Sequence, residues 1–476
     1  MVFSIIQKSQ IEDTKRLDAE YYQPEYLEVE KKLKSINTKT IGEISDSVVN
    51  FGAYSLCNYI QWQDGGVPYL NVQDIKDGYI DFDDTKFIGE KVNEILKKSE
   101  VSEGQVILTM AGTIGNAAVA HKIPLKVNSN QATAKITLKK EISPYFLTAF
   151  LGSYYGKNQI IREIVSSVQP NIFLFQIKNF KVPIATQKEQ KEIEKIYIHG
   201  LEELENSKLF YRQAENSFFK QLNLQNFKND GLLSISINLA DIKIVNRFDA
   251  EYFNSPSNKM LAIINKGKIA KLSDLVEMTK GVEPGAEAYQ EPSDAPTGAE
   301  AMAGKETMEG KKGKLFIRVS SISKDGIINK DQKYISEDLY NEYKKDYQPQ
   351  VGEILLTKDA SPGIACLVRE PIEGIVASGV MRLKIKEKIN LEYLTLVLNS
   401  IVGRLQAERD AGGSIIVHWK PEQIKNLVVP ILPVSTQNKI GDLISQSYQA
   451  RKKAKELLEE AKLKVEEMIV NNQSLK

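Results

Sequence analysis

Two long stretches of the chain place apolar residues at the three- and four-residue spacing that forms one stripe along an α-helix. The first covers residues 187–222 and the second residues 437–470, and neither contains proline. Each helix would be about 50 Å long at 1.5 Å per residue, too long and too polar for the core of one small domain. We therefore predict that they pair as a coiled coil, rather than forming two unrelated surface helices, with structural roles for Ile193, Leu204, Leu443, Ala454 and Leu457.

The chain is predicted to be a tandem repeat, because five sequence blocks recur in the same order in its two halves. The paired blocks are RLDAEYY at 16–22 and RFDAEYF at 247–253, VPYLNVQDIKDG at 67–78 and KLFIRVSSISKDG at 314–326, EGQVILT at 103–109 and VGEILLT at 351–357, SPYFLT at 143–148 and NLEYLT at 390–395, and QIKNFKVP at 176–183 and QIKNLVVP at 423–430. Each half then leads into one of the long helices.

The predicted strands are short, rich in Val, Ile, Tyr and Thr, and separated by turn signals, which favours antiparallel-rich sheets over a doubly wound fold. The sequence therefore predicts an α+β fold in two similar domains, at 1–186 and 227–433. A central spacer helix is expected at 187–226 and a C-terminal spacer helix at 434–476. An additional segment rich in Gly, Ala, Pro and Glu at 282–313 is either a surface loop or a loop that orders on a ligand.

The charge balance and the cysteine content narrow the functional classes. Among 476 residues, 63 Lys and Arg face 62 Asp and Glu, which does not favour a purely electrostatic nucleic-acid binder but allows a specific binder with a local basic face. The two cysteines, Cys57 and Cys366, lie in different halves and indicate a reducing setting. Because neither a signal peptide nor a long apolar window is present, the chain is expected to be cytoplasmic.

No catalytic or metal-binding pattern emerges from the sequence. The three histidines, His121, His199 and His418, lack metal-ligand spacing, so no metal site is predicted. Residues 297–307 resemble a phosphate-binding loop only superficially, because their glycines are one residue too far apart and Glu306 replaces the hydroxyl that would bind magnesium. The clustered polar residues are therefore expected to recognise a ligand rather than catalyse a reaction.

Two similar but diverged domains on a helical spacer suit a ligand that is read at two points, and DNA with two half-sites has this geometry. The repeated blocks and the two repeat-ending helices resemble the specificity subunit of type I restriction-modification enzymes over essentially the whole chain. The resemblance implies two target recognition domains, each reading half of a bipartite asymmetric site in double-stranded DNA, joined by an antiparallel coiled coil. It also implies methyltransferase subunits and an ATP-driven restriction subunit as partners.

The same resemblance implies that this chain has no catalytic activity and binds no cofactor, since S-adenosylmethionine, ATP and Mg²⁺ would belong to the partner subunits. Two alternatives stay open from the sequence. One is a specificity subunit that serves a type II enzyme with fused methylation and cleavage, which neighbouring genes would distinguish. The other is a protein scaffold built on the coiled coil, which would leave no footprint on DNA.

Candidate DNA-binding residues are the polar side chains in the loops that recur in both halves. Amide side chains can pair bidentately with adenine edges, and Arg or Lys suits guanine or phosphate. Phosphate contacts are expected where a loop follows a helix with basic residues, Lys157 and Arg162 in the first half and Arg404 and Arg409 in the second. In the first half the candidates are Gln73, Asp74, Thr113, Asn116, Ser129, Asn130, Gln131, Lys157, Arg162, Gln169 and Asn171. In the second half they are Arg318, Ser320, Ser321, Lys358, Asp359, Ser361, Ser378, Arg404, Arg409, Ser414, His418 and Lys420.

Overall fold

The two periodic stretches are continuous helices in the computed structural model. The helix Gln187–Gln221 (α8) has 35 residues and the helix Val434–Asn471 (α17) has 38. The structure describes residues 4–50, 58–164, 170–228, 236–245, 247–253, 255–285, 288, 313–328, 332–412 and 417–471. The additional segment at 282–313 lies largely outside these residues, and Cys57, Gln169 and Ser414 lie outside them entirely.

The described part of the chain divides into two units. The first contains residues 4–204 and 452–471, and the second contains residues from 205 to 451. Each unit therefore takes one half of α8 and one half of α17, although the two halves in each unit are far apart in sequence.

The first unit combines short helices with short strands. Its helices before α8 are Lys8–Thr14 (α1), Pro24–Lys34 (α2), Ile41–Ile44 (α3), Glu90–Ile95 (α4), Pro144–Gly152 (α5), Tyr154–Glu163 (α6) and Leu174–Asn179 (α7). Its strands are Thr38–Thr40 (β1), Ser45–Val49 (β2), Trp62–Gln63 (β3), Val67–Leu70 (β4), Lys86–Ile88 (β5), Val106–Thr109 (β6), Ala117–Val119 (β7), Asn128–Ser129 (β8), Thr133–Leu138 (β9) and Lys181–Pro183 (β10).

Two four-stranded sheets organise the first unit. One is antiparallel and has the order β2-β9-β6-β7, and the other has the order β3-β5-β4-β8, in which β4 and β8 run parallel. Strand β6 reads Val-Ile-Leu-Thr and is buried along its whole length, because both of its faces are covered. The short pair β1 and β10 joins the start of the domain to the segment that leads into α8.

The second unit repeats this element order. Its helices are Leu239–Val245 (α9), Ala250–Phe253 (α10), Pro256–Ile264 (α11), Leu272–Leu275 (α12), Glu337–Tyr347 (α13), Leu391–Asn399 (α14), Ile401–Asp410 (α15) and Pro421–Lys425 (α16). Its strands are Ile269–Lys271 (β11), Val276–Lys280 (β12), Lys314–Ile317 (β13), Ile322–Ser323 (β14), Gly326–Ile327 (β15), Lys333–Ile335 (β16), Ile354–Thr357 (β17), Ala365–Leu367 (β18), Gly374–Val376 (β19), Val380–Ile385 (β20) and Val428–Pro430 (β21).

The sheets of the second unit follow the strand order of the first, except that its second sheet has three strands among the described residues, with no counterpart of β3 there. The antiparallel sheet has the order β12-β20-β17-β18, and the second sheet has the order β16-β13-β19 with β13 and β19 parallel. Strand β17 reads Ile-Leu-Leu-Thr and is fully buried, like β6. The predicted duplication and the predicted α+β fold are therefore confirmed.

In each unit, the halves of α8 and α17 pack against each other. In the first unit, Glu192 pairs with Lys464 at 2.9 Å and Glu203 with Lys453 at 2.5 Å. Residue numbers therefore increase along α8 in the direction in which they decrease along α17. The two helices are therefore antiparallel there. In the second unit the hydroxyls of Ser207 and Ser447 lie 3.2 Å apart in a buried contact.

The residues predicted to form the seam of the helix pair differ in burial. Ile193, Leu204 and Ala454 are buried. Leu457 is only partly buried, and the neighbouring Leu458 takes the inner position, where it packs beside Gly200. Leu443 packs at the edge of the core, while Ile444 is the buried residue of that turn.

Candidate nucleic-acid interface

In the first unit, loops that are distant in sequence form one cluster at the ends of the strands. The 3-10 turn Val72–Asp74 follows β4, and the hairpin loop 110–116 joins β6 to β7. The amide of Asn116 donates to the carbonyl of Ile75 at 3.0 Å, and the backbone amide of Asn130 donates to the carbonyl of Leu70 at 2.9 Å. A bridge between Ala111 and Asn171 attaches a fourth segment. The structure therefore brings most of the first-half candidates together.

These candidates differ in how far their side chains reach solvent. Gln73 and Thr113 are exposed, and a partly buried group surrounds them, consisting of Asn116, Asn130, Gln131 and Asn171. Asp74 is buried, where its carboxylate accepts from the backbone amide of Asn71 at 2.8 Å and closes the turn. Burial raises the pKa of Asp74. The exposed members can meet a ligand, whereas Asp74 shapes the turn that presents them.

Ser129 belongs to a buried polar network rather than to the surface. Its hydroxyl donates to the carbonyl of Ser99 at 3.1 Å and receives a hydrogen bond from the ammonium group of Lys135, also at 3.1 Å. Burial lowers the pKa of Lys135 to about 8. Lys135 was not among the predicted residues, because a lysine in an alternating strand pattern is typical of a solvated face.

Lys157 and Arg162, predicted to contact phosphate, are both engaged inside the first unit. The Lys157 ammonium group is buried and lies 2.9 Å from the carbonyl of Gly115 and 3.3 Å from the carboxylate of Asp77. Arg162 pairs with Glu30 at 2.9 Å and lies 4.1 Å from the ring centroid of Tyr21. In this conformation, both side chains stabilise the domain and neither presents its charge to a ligand.

The repeat-opening blocks have a structural role that the sequence analysis did not assign. In the first unit Arg16 and Arg162 lie on the ring of Tyr21, at 4.7 and 4.1 Å. In the second unit the corresponding group is Arg247 and Arg409 on the ring of Tyr252, at 4.6 and 5.2 Å. Arg16 and Arg247 are each paired with an aspartate two residues later, at 2.5 Å. Arg409 is therefore also a packing residue, held by Asp410 at 2.7 Å.

The second unit carries the equivalent loop cluster, centred on Asp359. One carboxylate oxygen lies 2.6 Å from the ammonium group of Lys358, and the other lies 2.7 Å from Nδ1 of His418. Two backbone hydrogen bonds join the two segments. The amide of Trp419 donates to the carbonyl of Lys358 at 2.8 Å, and the amide of Ala360 donates to the carbonyl of Val417 at 2.9 Å. Trp419 is buried beneath them. Lys358 is buried as well, so His418 is the exposed group of this trio.

The remaining second-half candidates surround this centre. Ser320, Ser361, Arg404 and Lys420 are exposed. The guanidinium Nε of Arg404 lies 3.7 Å from the carboxylate of Glu408 on the same helix. Ser378 donates to Glu283 at 3.0 Å. Arg318 and Ser321, partly and fully buried, shape the 3-10 turn Val319–Ser321, where the backbone amide of Ser321 donates to the carbonyl of Arg318 at 2.9 Å.

Two exposed aromatic residues beside the first cluster escaped the sequence analysis. Phe173 and Phe175 lie two and four residues after Asn171 and are 49% and 66% exposed. Their rings are stacked, with centroids 5.9 Å apart and planes 9° apart. The corresponding residues in the second half are Lys420 and Glu422. This difference between the repeats could have marked Phe173 and Phe175 as candidate ligand contacts. A packing role shared by the two repeats would require apolar residues at these positions in both halves.

The described residues hold no cluster of His, Cys, Asp and Glu suited to a metal ion. Cys366 is a free, buried thiol, and burial raises its pKa to about 11. No helix in the described part of the chain is both long and apolar enough to cross a bilayer. The exposed groups at the two clusters are donors and acceptors of hydrogen bonds together with aromatic rings.

Two copies of one α+β fold, each presenting a cluster of polar loops at the ends of its strands, define a duplicated recognition protein. The chain belongs to the family of type I restriction modification DNA specificity domains, whose model matches residues 34–209 and 294–462. The type I restriction enzyme EcoBI specificity subunit of Escherichia coli is 28% identical over 129 residues, which are 27% of each chain. The match thus spans about a quarter of that relative's length.

Two solved structures are similar over most of their length. The S subunit of a type I restriction-modification system from M. genitalium shows 14% identity and a TM-score of 0.40, with 91% of this chain and 94% of that chain covered. The HsdS subunit from Thermoanaerobacter tengcongensis shows 15% identity and a TM-score of 0.27, with 92% and 96% covered.

The Asp359 centre predicts a dependence of stability on acid. Burial would raise the pKa of Asp359, but hydrogen bonds from Lys358 and His418 outweigh it and hold the pKa below its ordinary value. The ionised carboxylate therefore stabilises the fold above the ordinary pKa, and this contribution disappears as pH falls through the lower folded-state value. We expect the Tm difference between the wild type and Asp359→Asn to shrink between about pH 5 and pH 2. Thermal unfolding across this range measures it, and a constant difference would contradict the assignment.

Proposed function

We propose that the chain is the DNA sequence-recognition subunit of a type I restriction-modification complex. Its target recognition domains, 1–186 and 227–433, would each read one half of a bipartite asymmetric site, with the spacer helices 187–226 and 434–476 between them. The observation that carries this proposal is that both units present a loop cluster at the same place in the same fold, built from a 3-10 turn and a hairpin loop.

The chemistry of the two clusters supports reading of base edges. Amide groups of Gln73, Asn130 and Asn171 offer paired donors and acceptors, as adenine edges require. The second cluster offers hydroxyls, an imidazole and an ammonium group instead, from residues such as Ser320, His418 and Lys420. Because the exposed groups differ while the fold is shared, the two half-sites are expected to differ in sequence.

The stacked Phe173 and Phe175 add an apolar element to the first cluster. Proteins that deform DNA insert such side chains between base steps or against sugars. Since Lys420 and Glu422 replace them in the second half, we assign this apolar contact to the first half-site only.

The partners and cofactors follow from the same proposal. The subunit would position methyltransferase subunits and a restriction subunit with motor activity in the cytoplasm. It would have no catalytic activity of its own, with S-adenosylmethionine, ATP and Mg²⁺ bound by those partners. The loops contribute recognition groups, so substitutions in them should change which DNA is modified rather than the chemistry of modification.

A map of methylated bases tests the function directly. In cells that express the chain with the methyltransferase from its own gene neighbourhood, we expect a bipartite motif that disappears when the chain is absent. The variant Gln73→Ala with Thr113→Ala should relax only one half of the motif, and Ser320→Ala with Ser361→Ala only the other. Each lost base contact is worth about 1–3 kcal/mol of discrimination.

The matched control for these variants is Lys464→Met, which removes an exposed charge on α17 far from either cluster in sequence and should leave the motif intact. An active, bound methyltransferase that shows no chain-dependent motif would favour a protein scaffold instead. Relaxation of both halves by a single-domain variant would contradict the assignment of one half-site to each domain.

A further inference from the structure

The repeated Lys-Asp-Gly turn of the first unit is bound to both long helices. The carboxylate of Asp77 lies 3.0 Å from the ammonium group of Lys462 on α17 and 3.3 Å from that of Lys157. The hydroxyl of Tyr197 on α8 donates to the carbonyl of Gly78 at 2.5 Å. Leu458 packs so closely on Gly78 that an added Cβ would lie 3.3 Å from it.

The second unit makes the equivalent connections with different residues. The carboxylate of Asp325 lies 2.6 Å from the guanidinium group of Arg451 on α17, which also reaches the hydroxyl of Ser207 on α8 at 3.4 Å. The ammonium group of Lys324 lies 5.1 Å from the ring centroid of Tyr211, also on α8. In both units, therefore, the aspartate of this turn binds a cation of α17, and the same turn contacts α8.

This turn directly follows the 3-10 turn of the proposed recognition cluster. Only two residues lie between Asp74 and Asp77, and the backbone amide of Asp81 donates back to the carbonyl of Asp74 at 2.8 Å. In the second unit, the backbone amide of Ile328 donates to the carbonyl of Ser321 at 2.9 Å. A displacement of the turn from α17 would therefore move the recognition residues with it.

The charges of the first contact are balanced inside the domain. The side chains of Lys157 and Lys462 are 2% and 8% exposed, and Glu459 also pairs with Lys462 at 2.7 Å. Burial would raise the pKa of Asp77, but the two ammonium groups outweigh it and hold the pKa below its ordinary value. In the second unit Arg451 is 28% exposed, so that contact is closer to solvent and tolerates substitution better.

We propose that Asp77 and Asp325 are positioning residues that fix each recognition turn to the spacer helices of its own unit. They would thereby fix the number of base pairs between the two half-sites. The inference rests on the proposed function for its effect on DNA, but the attachment of the turn to the helices can be measured without DNA. One base pair corresponds to about 3.4 Å along the duplex, so a turn freed by that distance accepts a spacer of different length.

Hydrogen exchange of the full-length chain tests the attachment. In Asp77→Asn, which leaves Lys157 and Lys462 without their shared carboxylate, we expect peptides covering 72–81 to gain on the order of tenfold or more in exchange rate relative to β6 and β9, which report any general loss of stability. In Asp325→Asn, peptides covering 319–328 should respond in the same way. Lys464→Met is the matched control, because its ion pair with Glu192 on α8 is exposed and touches neither turn. Unchanged exchange in both turns would overturn the attachment.

The partly exposed ion pair between Asp325 and Arg451 allows a test that distinguishes loss of the charge pair from general destabilisation of the fold. Arg451→Asp should loosen the turn as Asp325→Asn does, and Arg451→Asp combined with Asp325→Arg should restore protection, because the pair is remade with reversed charges. Absence of any rescue, with the double variant folded, would show that the pairing of these two charges does not hold the turn.

Methylation maps of the same variants test the consequence for DNA. We expect Asp325→Asn to keep both half-site sequences and to methylate additional sites whose spacer differs by one base pair, and the double variant to return to the original spacer. A merely structural role would lower methylation at all sites with the spacer unchanged, and a base-reading role would change a half-site, so either result would overturn the inference. A wild-type chain without a bipartite motif would refute the proposed function and the DNA part of the inference, while the exchange data would still decide the attachment.

Discussion

Replacement of Lys157 by Met is expected to lower the free energy of unfolding of the first unit by about 1–3 kcal/mol, because it leaves the buried carbonyl of Gly115 without its donor and removes one of the two cations that balance Asp77. Lys157 is 2% exposed at its side chain and donates to Gly115 as well as pairing with Asp77. The loss should appear as faster hydrogen exchange in β9. The urea concentration at the unfolding midpoint of the first unit should also be lower.

The same variant distinguishes a packing role from the phosphate contact that the sequence suggested. If Lys157 contacted phosphate, its replacement would lower the salt dependence of DNA binding by about one ion per site without destabilising the domain. We expect the reverse, with an unchanged salt dependence in whatever fraction remains folded. Lys178→Met is the control, since Lys178 is exposed on the neighbouring helix α7. A stable Lys157→Met protein with a reduced salt slope would return Lys157 to the DNA interface.

Replacement of Phe218 by Ala should destabilise the second unit by about 3–5 kcal/mol, the usual cost of removing a buried aromatic side chain. Phe218 lies on α8, has no exposed surface, and contacts Tyr393 edge to face with ring centroids 5.8 Å apart. It shares one core with Ile440 of α17. The spacer helices are thus part of the domain core and not an external linker, so damage to α8 is damage to the recognition domain.

Denaturant unfolding followed by tryptophan fluorescence measures this effect, since Trp419 is buried in the same core. Leu209→Ala on the same helix is the matched control, because Leu209 is 50% exposed and its truncation should change stability by no more than about 0.5 kcal/mol. Equal effects of the two substitutions would mean that α8 packs less specifically than the structure indicates.

The long helices and the duplication could be predicted from the sequence because both are repeated patterns within one chain. The exact inner residues were harder to predict. A helix has 3.6 residues per turn, so positions chosen strictly three and four residues apart shift gradually around the helix. This spacing predicted Leu457 as the inner residue, whereas Leu458 is the one buried against α8. The antiparallel-rich sheets followed from short strands separated by turns, and their order emerged only in the structure.

The candidate site was predictable as a set of loops but not residue by residue. Polar residues at strand ends, such as Gln73 and Thr113, are exposed and clustered because loops carry the groups that strands do not bury. Lys157 looked equivalent in sequence, yet it pairs with Asp77, a carboxylate far away in the sequence that also binds Lys462 of α17, and no local pattern reveals such pairings. Ser129 was not recognised as buried for a different reason, because its partner Lys135 lies on a strand where a lysine is expected to face solvent.

The division of each long helix between the two units also bears on how the protein folds during synthesis. The core of the first unit includes Leu458, Ala461, Val465 and Ile469, which come from α17. About 250 residues separate Leu204 from that segment, and at roughly 5–20 residues per second the ribosome needs on the order of 10–50 s to supply it. During this interval, the first domain carries an uncovered apolar groove along α8. Its completion therefore waits until this part of α17 has been made, and a chain truncated before it leaves its first domain unfinished.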